Sequence, residues 1–312
     1  MNMNRTTIQT TMGLMTNQVL TDRRPVMGGE AVITLVGGTS TILDDAFALA
    51  SQCERLWSRF QIDSEMSRIN IAEGRTTVIS PPTAALIQAM REGFELTDGN
   101  FNPTLLPALF TIGYRESQVH PGAVTNLPDD ARAFDSLEGI DLTPTSVTLP
   151  RGMTLDSGGM GKGFGCDLIA AAARASGVAG VMVSLSGDVV VSGTSPDGDS
   201  WRLGVEDPFN TTEHVQIIRL VEGAAVTSSQ RKNKFDGGHH LIDPVSGHSA
   251  ITSAQTVSVI ASTGARAEAL TKSGFLRPID EYLEWLPTVG AAGMVIDADG
   301  AQRESSNWAL YR

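Results

Sequence analysis

The sequence predicts an α+β fold, a single domain with mixed or antiparallel sheets flanked by helices. Strand-like runs at residues 180–184, 189–192, 201–205, 214–220 and 224–227 follow one another without an intervening helix, roughly 8–12 residues apart. That rhythm favours antiparallel or mixed sheets over a doubly wound parallel one. Helical periodicity is confined to separated stretches, and no internal repeat or low-complexity linker divides the 312 residues. A chain of this length buries a substantial core in one piece.

Residues 1–24 are expected to form a mobile tail, since residues 1–21 are polar and rich in Thr and Asn. Residues 25–312 are expected to form the folded domain. The first strand is predicted over 30–36, where apolar side chains alternate. Residues 41–60 read as an amphipathic helix, with Leu43, Phe47, Ala50, Leu56, Trp57 and Phe60 near helical spacing. A polar, turn-rich segment follows at 63–70. A second helix is predicted over 81–96, with Pro82 in its first turn, and it ends in the turn formers of 97–104. Residues 115–138 lack periodicity and read as a surface excursion. Further strands are expected at 146–149, 153–156 and 256–260, and further helices at 162–176, 265–272 and 279–286.

The composition, 41% hydrophobic and 19% charged, is that of a globular protein. A net charge of −12 argues against nucleic acid and anionic membrane surfaces as partners. No run approaches the length of a membrane span, and the N-terminus lacks the apolar core of a secretory signal. Cys53 and Cys166 have no metal-finger partners and read as buried free thiols. That suits a reducing compartment, so a cytoplasmic location is expected.

The richest segment for chemistry is 155–167, which holds five glycines, Lys162 and two aspartates just ahead of a helix-forming run. Glycine lets backbone approach a ligand closely, and a helix that opens there offers unpaired N–H groups to an anion. The segment therefore reads as an anion site, with a phosphate ester as its ligand. It is not a Walker A loop, because Lys162 is followed by glycine. No G-x-S-x-G, HExxH, CxxC or dinucleotide fingerprint appears. A second segment runs from Val226 to Arg231 and resumes at His239. There His240 is a candidate general base near neutral pH, with Asp243 as its orienting partner. Residues 243–247 read equally well as a plain turn. A third segment, 263–272, places Glu268 and Lys272 at i, i+4 on a helix, the order favoured for a surface ion pair.

Taken in order, seven motifs resemble those of the ApbE family, the FAD-dependent protein flavin transferases first described as thiamine-biosynthesis lipoproteins. Met27-Gly28-Gly29 resembles the opening Met-Gly-Thr. Residues 58–70, Ser-Arg-Phe-Gln-Ile-Asp-Ser-Glu-Met-Ser-Arg-Ile-Asn, are similar to S-x-Y/F-x-x-D-S-E-[IL]-S-R-[IL]-N. Residues 97–104 resemble T-D-G-A-F-D-P-T, and 155–167 resemble D-L-G-G-I-A-K-G-Y-A-x-D. Residues 184–188, 204–208 and 240–247 are similar to N-L-G-G-[DN], G-I-E-D-P and H-I-I-D-P-x-T-G.

The resemblance implies a single α+β domain that splits FAD and transfers FMN, as a phosphoester, to a Thr or Ser of an acceptor protein, with release of AMP. It implies that Gly158, Gly159, Gly161 and Lys162 cradle and neutralise the diphosphate. Met27, Asp98, Glu206, Thr227, Ser228, Ser229, His240 and Lys272 would complete the flavin-nucleotide site. His240 would act as base, with Asp243 beside it. It also implies Mg²⁺ at the diphosphate, held by the carbonyl of Gly161 and by Glu268 and Thr271.

Departures from the family pattern concentrate at that metal. The family helix usually reads A-D-A-x-x-T, with Asp and Thr both on the ion, whereas this chain carries Glu268 and Lys272 there. An ammonium cannot ligate a cation. Either Glu268 still holds an ion with Lys272 turned away, with Thr271 helping, or Lys272, salt-bridged to Glu268, replaces it. Gly29 for Thr, Asn102 for Asp and residues 229–231 are milder departures. An FAD pyrophosphatase, or a protein that binds FAD without transferring FMN, are the alternative functions.

Overall fold

Three runs of the strand-rich stretch become the middle of an eight-stranded sheet in the computed structural model, and the other two pair as a separate hairpin; the structure describes residues 18–231, 234–235 and 238–312. In chain order the strands are β1 (Val19–Val26), β2 (Gly29–Val36), β3 (Thr77–Val78), β4 (Asp141–Thr143), β5 (Ser146–Thr148), β6 (Gly180–Leu185), β7 (Asp188–Gly193) and β8 (Trp201–Glu206). They continue with β9 (His214–Leu220), β10 (Gly223–Ser229), β11 (Lys234–Phe235), β12 (Gly238–His239), β13 (Ala254–Ala261), β14 (Ala292–Asp297) and β15 (Gln302–Glu304). The helices are α1 (Ser40–Trp57), α2 (Glu65–Asn70), α3 (Pro81–Leu96), α4 (Leu106–Thr111), α5 (Gly161–Ala175), α6 (Gly264–Ser273) and α7 (Ile279–Trp285). The main sheet runs β1-β2-β6-β7-β10-β13-β14-β15, and each of its pairs is antiparallel.

Side-chain alternation along the strands decides what covers each face. Ala31, Ile33 and Leu35 of β2, with Val257 and Val259 of β13, face a helical layer made by α1, α5, α6 and α7. The intervening residues Val36, Val191, Ile260, Met294 and Ile296 face the β8–β9 hairpin and Trp308. A second cluster around Trp57, Met66, Ile87, Met90, Leu155 and Met160 lies between α2, α3 and the small sheet β3-β5-β4. The glycine segment runs between the two helical clusters. Cys53 and Cys166 are buried free thiols, and burial pushes the Cys53 thiol up to about 12.

Two hairpin turns take positive φ at both central residues, the type I′ geometry that fits strand twist. Met27-Gly28 joins β1 to β2 with φ of 53° and 75°, and Ser186-Gly187 joins β6 to β7 with 55° and 96°. The turns abut, because a Cβ on Gly29 would lie 2.1 Å from Ser186 Oγ.

Three local expectations change. The segment at 63–70, read as turn-rich, is mostly helix α2, capped by the Ser64 side chain, which accepts from the Ser67 N–H. The tail foreseen over 1–24 lies outside the described residues up to 17, but from Val19 the chain is strand β1, paired along its length with β2. Its charges Asp22, Arg23 and Arg24 sit on an edge strand, where water and nearby side chains solvate them. Residues 153–156 are not a ladder strand. The Asn70 side chain takes the place of a neighbouring strand, donating to the Leu155 carbonyl at 2.8 Å and accepting from its N–H at 2.8 Å. Asn70→Ala leaves both backbone groups buried and unpaired, at about 1–3 kcal/mol each. Urea unfolding is expected to show a loss of about 2–4 kcal/mol.

Candidate active site

α5 and α6 meet at two glycines. A Cβ on Gly163 would sit 2.4 Å from the carbonyl oxygen of Gly264, and one on Gly264 would sit 2.3 Å from that of Gly163. Only paired glycines let the two helix starts approach so closely. Asp167 fixes the same junction: its carboxylate accepts from the N–H groups of Gly264 at 2.7 Å and Ala265 at 3.0 Å. Burial nevertheless raises the Asp167 carboxyl to about 6. Gly163→Ala is expected to lower stability by about 3 kcal/mol, the upper end for over-packing, because the clash is with backbone that cannot rotate away. A denaturation midpoint equal to the wild type's would show that the junction yields.

This close approach brings Glu268 of α6 over the start of α5. Glu268 is 1% exposed. Its Oε2 accepts from the Gly163 N–H at 2.8 Å, and its Oε1 from Lys162 Nζ at 2.9 Å. Lys162 Nζ also lies 3.0 Å from Asp188 Oδ2 at the β6–β7 turn. Burial works against the charge on Lys162, but the two carboxylates overcome it and hold its pKa above the ordinary lysine value. Burial, reinforced by Glu268, raises the Asp188 carboxyl against the pull of Lys162.

One turn further along α6, Lys272 Nζ donates to Ser228 Oγ of β10 at 3.1 Å and to Thr271 Oγ1 at 3.3 Å. Those two hydroxyls are 2.8 Å apart, and the buried Thr271 hydroxyl donates to the Glu268 carbonyl at 2.7 Å. Burial, with Lys162 nearby, lowers the Lys272 pKa, while Glu268 and Asp188 oppose that.

These groups open into a cavity of about 580 Å³. Of the residues expected at the site, Met27, Gly158, Gly159, Gly161, Lys162, Thr227, Ser228, Ser229, His240, Glu268 and Lys272 line it. Thr227 turns its hydroxyl to Ser258 Oγ, 2.8 Å away. His240 is half-buried and stands just beyond the β11–β12 hairpin.

Four expected residues are not brought to the cavity wall. Asp98 ends α3 with φ of 53°, and its side chain, 82% exposed, pairs with Arg277 at 2.9 Å. Glu206 is the outward-facing last residue of β8, on the hairpin that covers the other face of the sheet. Asp243 shapes its own turn, accepting from the Val245 N–H at 2.9 Å, as the plain-turn reading has it. Thr271 lies behind Ser228.

Further residues line the cavity that no candidate segment marked as functional. Asp188 closes the 184–188 motif. Arg59 stacks on Tyr114 with its guanidinium carbon 4.3 Å from the ring centre, and its Nε lies 3.4 Å from Asp156 Oδ1. His120, exposed on the 115–138 excursion, stands on the cavity wall as well. Nothing in local periodicity distinguishes these positions.

The residues present do not fit the divalent ion that the resemblance implied at the Gly161 carbonyl, Glu268 and Thr271. Both carboxylate oxygens of Glu268 are engaged by N–H donors, and the Lys272 ammonium stands 3.3 Å from the Thr271 hydroxyl. The expected Lys272–Glu268 bridge is corrected too. Glu268 pairs with Lys162, whose second carboxylate is Asp188, and Lys272 bonds to two hydroxyls. Among the described residues, no group of three or more His, Cys, Asp or Glu is placed to hold a metal.

Fold and site together define an α+β protein in which one cavity of about 580 Å³ joins a glycine-opened helix to half-buried lysines and hydroxyls. The chain belongs to the ApbE family, whose sequence profile matches residues 27–295. The FAD:protein FMN transferase of Treponema pallidum is 29% identical over 256 residues, 75% of this chain and 70% of its own. The FAD:protein FMN transferase of Klebsiella pneumoniae is 28% identical over 258 residues, 78% of each chain. The crystal structure of the ApbE protein from Thermotoga maritima matches with a TM-score of 0.82 at 23% identity, over 94% of this chain and 99% of its own. The flavin transferase ApbE from Vibrio cholerae gives 0.79 at 20% identity, over 95% and 100%. These two likenesses are of fold.

Proposed function

We propose that this protein cleaves FAD and transfers FMN to a Ser or Thr hydroxyl of an acceptor protein, releasing AMP. The observation that carries the reading is the cavity that brings the glycine loop, Lys272 and His240 together in a member of the ApbE family. Relatives 29% and 28% identical over 256 and 258 residues are FAD:protein FMN transferases.

In this reading the diphosphate lies along Gly158–Gly159–Gly161, where backbone without side chains approaches it and the α5 N-terminus faces it. The acceptor oxygen attacks the phosphorus on the flavin side. The bond from that phosphorus to the bridging oxygen breaks, and AMP leaves with the oxygen. His240 takes the hydroxyl proton. Such a displacement depends chiefly on positioning and on neutralising the phosphate oxygens. Met27, Ser228 and Ser229 hold the nucleotide, and Lys162 braces the loop through Glu268 and Asp188.

Two free, buried thiols suit a cytoplasmic setting. No described helix is long and apolar enough to cross a membrane.

The test is to incubate the protein with FAD and a hydroxyl-bearing acceptor peptide and to follow both products by mass spectrometry. An FMN adduct on the peptide with stoichiometric AMP supports transfer. Free FMN with AMP identifies water as the acceptor, and intact FAD identifies a binding protein.

A further inference from the structure

We infer that Lys272 is the built-in cation of this site and that the diphosphate is held without a divalent metal ion. The inference rests on the reading of FAD as the ligand and deepens it. Two half-buried ammonium groups stand at the cavity, and their surroundings differ. Lys162 is enclosed by Asp188 at 3.0 Å and Glu268 at 2.9 Å, so its charge is offset before any ligand arrives. Lys272 is held by the hydroxyls of Ser228 and Thr271, and it forms no salt bridge with any described carboxylate. Hydroxyls orient an ammonium without cancelling it. Its positive charge is therefore available to an anionic ligand.

The placement of that charge matches the glycine loop. The Lys272 stem packs beside it, with Cε 3.8 Å from where a Cβ on Gly159 would be. The ammonium and the α5 N-terminus thus face the same stretch of cavity. A dianionic diphosphate laid on the loop meets one full charge and one helix terminus.

The carboxylate that a metal would need has been reassigned. Glu268 is fixed through both oxygens to Lys162 and to the Gly163 N–H. For a divalent ion to use it, two charge-assisted or buried hydrogen bonds must break while an ammonium remains close by. Glu268 and Lys272 together therefore replace the ion: Glu268 braces the loop through Lys162, and Lys272 supplies the charge.

The experiment measures FAD affinity by flavin fluorescence and metal uptake by the Mn²⁺ paramagnetic resonance signal. It uses the full-length wild type, Lys272→Thr and the double variant Glu268→Asp/Lys272→Thr. For the wild type, FAD affinity is expected to be unchanged by EDTA, and Mn²⁺ is expected to remain free with or without FAD. Lys272→Thr is expected to weaken FAD binding by about tenfold to a hundredfold, the worth of one charge-assisted contact. The double variant is expected to take up Mn²⁺ in the presence of FAD. A wild type that binds stoichiometric Mn²⁺, a tenfold loss of FAD affinity in EDTA, or an unchanged affinity in Lys272→Thr each overturns the inference. AMP release is followed in parallel. Its absence defeats the transferase reading alone, because affinity and metal uptake still decide the cation.

Discussion

Glu268→Ala is expected to destabilise the protein by about 3–5 kcal/mol, the range for removing one partner of a buried ion pair. The magnitude follows from what is left behind. Lys162 keeps only Asp188, inside protein, and the Gly163 N–H loses its acceptor at a helix start where no backbone carbonyl can replace it. The Coulomb gain of the intact triad is not itself the source of this loss, since burying charges is expensive and a buried bridge is often close to neutral overall. The loss comes from stranding the lysine. Glu268→Gln tests that reasoning. Its amide keeps the shape and one acceptor, so its loss should be smaller than that of alanine, but it presents an N–H₂ to a donor on one side. Thermal and urea unfolding in chelator-treated buffer measures both variants. An Ala variant with the wild-type midpoint would mean that Glu268 does not brace the loop, and the structural role assigned to it would fall.

This network also shows where sequence reading stops. The strands of the sheet centre were readable because β6, β7, β10 and β13 alternate or are Val-rich and are bounded by turn residues. β1 was not. Its three charges and Pro25 look like a solvated tail, and only its pairing with β2 makes it a strand. β14 escaped for the opposite reason: Ala292 to Ile296 is buried on both faces, so it has no period to detect. Residues 153–156 join no ladder, and the hydrogen-bond partner of Leu155 is a side chain 85 residues away. No local pattern encodes that.

The site divides along similar lines. The glycine loop, Ser228, His240 and α6 were found because ordered motifs bring their own spacing. Charge partners were not, because they are decided in three dimensions. Glu268 and Lys272 looked like an i, i+4 pair on one helix, yet Glu268 reaches across 106 residues to Lys162. Asp98 and Glu206 themselves sit at a helix end and on a covering hairpin, away from the cavity, although Asn100 to Pro103 of the first motif line it. A motif marks a place in the fold before it marks a contact.

His240→Ala is expected to reduce FMN transfer about 10²–10⁴-fold, the usual contribution of a positioned general base. FAD affinity should change little, because in the proposed reading the diphosphate's charge partners are Lys272 and the α5 N-terminus. Two imidazoles line the cavity, and that makes the prediction selective. His120 is exposed on the excursion, at the wall that holds Arg59 and Tyr114, whereas His240 is half-buried on the chain that leaves the β11–β12 hairpin. Its backbone is fastened on both sides: Ser249 Oγ bridges the His239 N–H at 2.9 Å and carbonyl at 2.7 Å, and Ala250 donates to Leu241 at 2.9 Å. The His120 backbone is bonded too, its N–H to Ser117 Oγ at 3.1 Å and its carbonyl to the Ala123 N–H at 3.0 Å, so burial is what separates the two: the half-buried imidazole, more shielded from water, is the better placed base. His120→Ala should accordingly leave the rate within a few-fold of wild type. Single-turnover transfer to an acceptor peptide, measured against pH for both variants, separates the two histidines. A wild-type rate in His240→Ala, or a collapse confined to His120→Ala, would move the base to the excursion and with it the side from which the acceptor approaches.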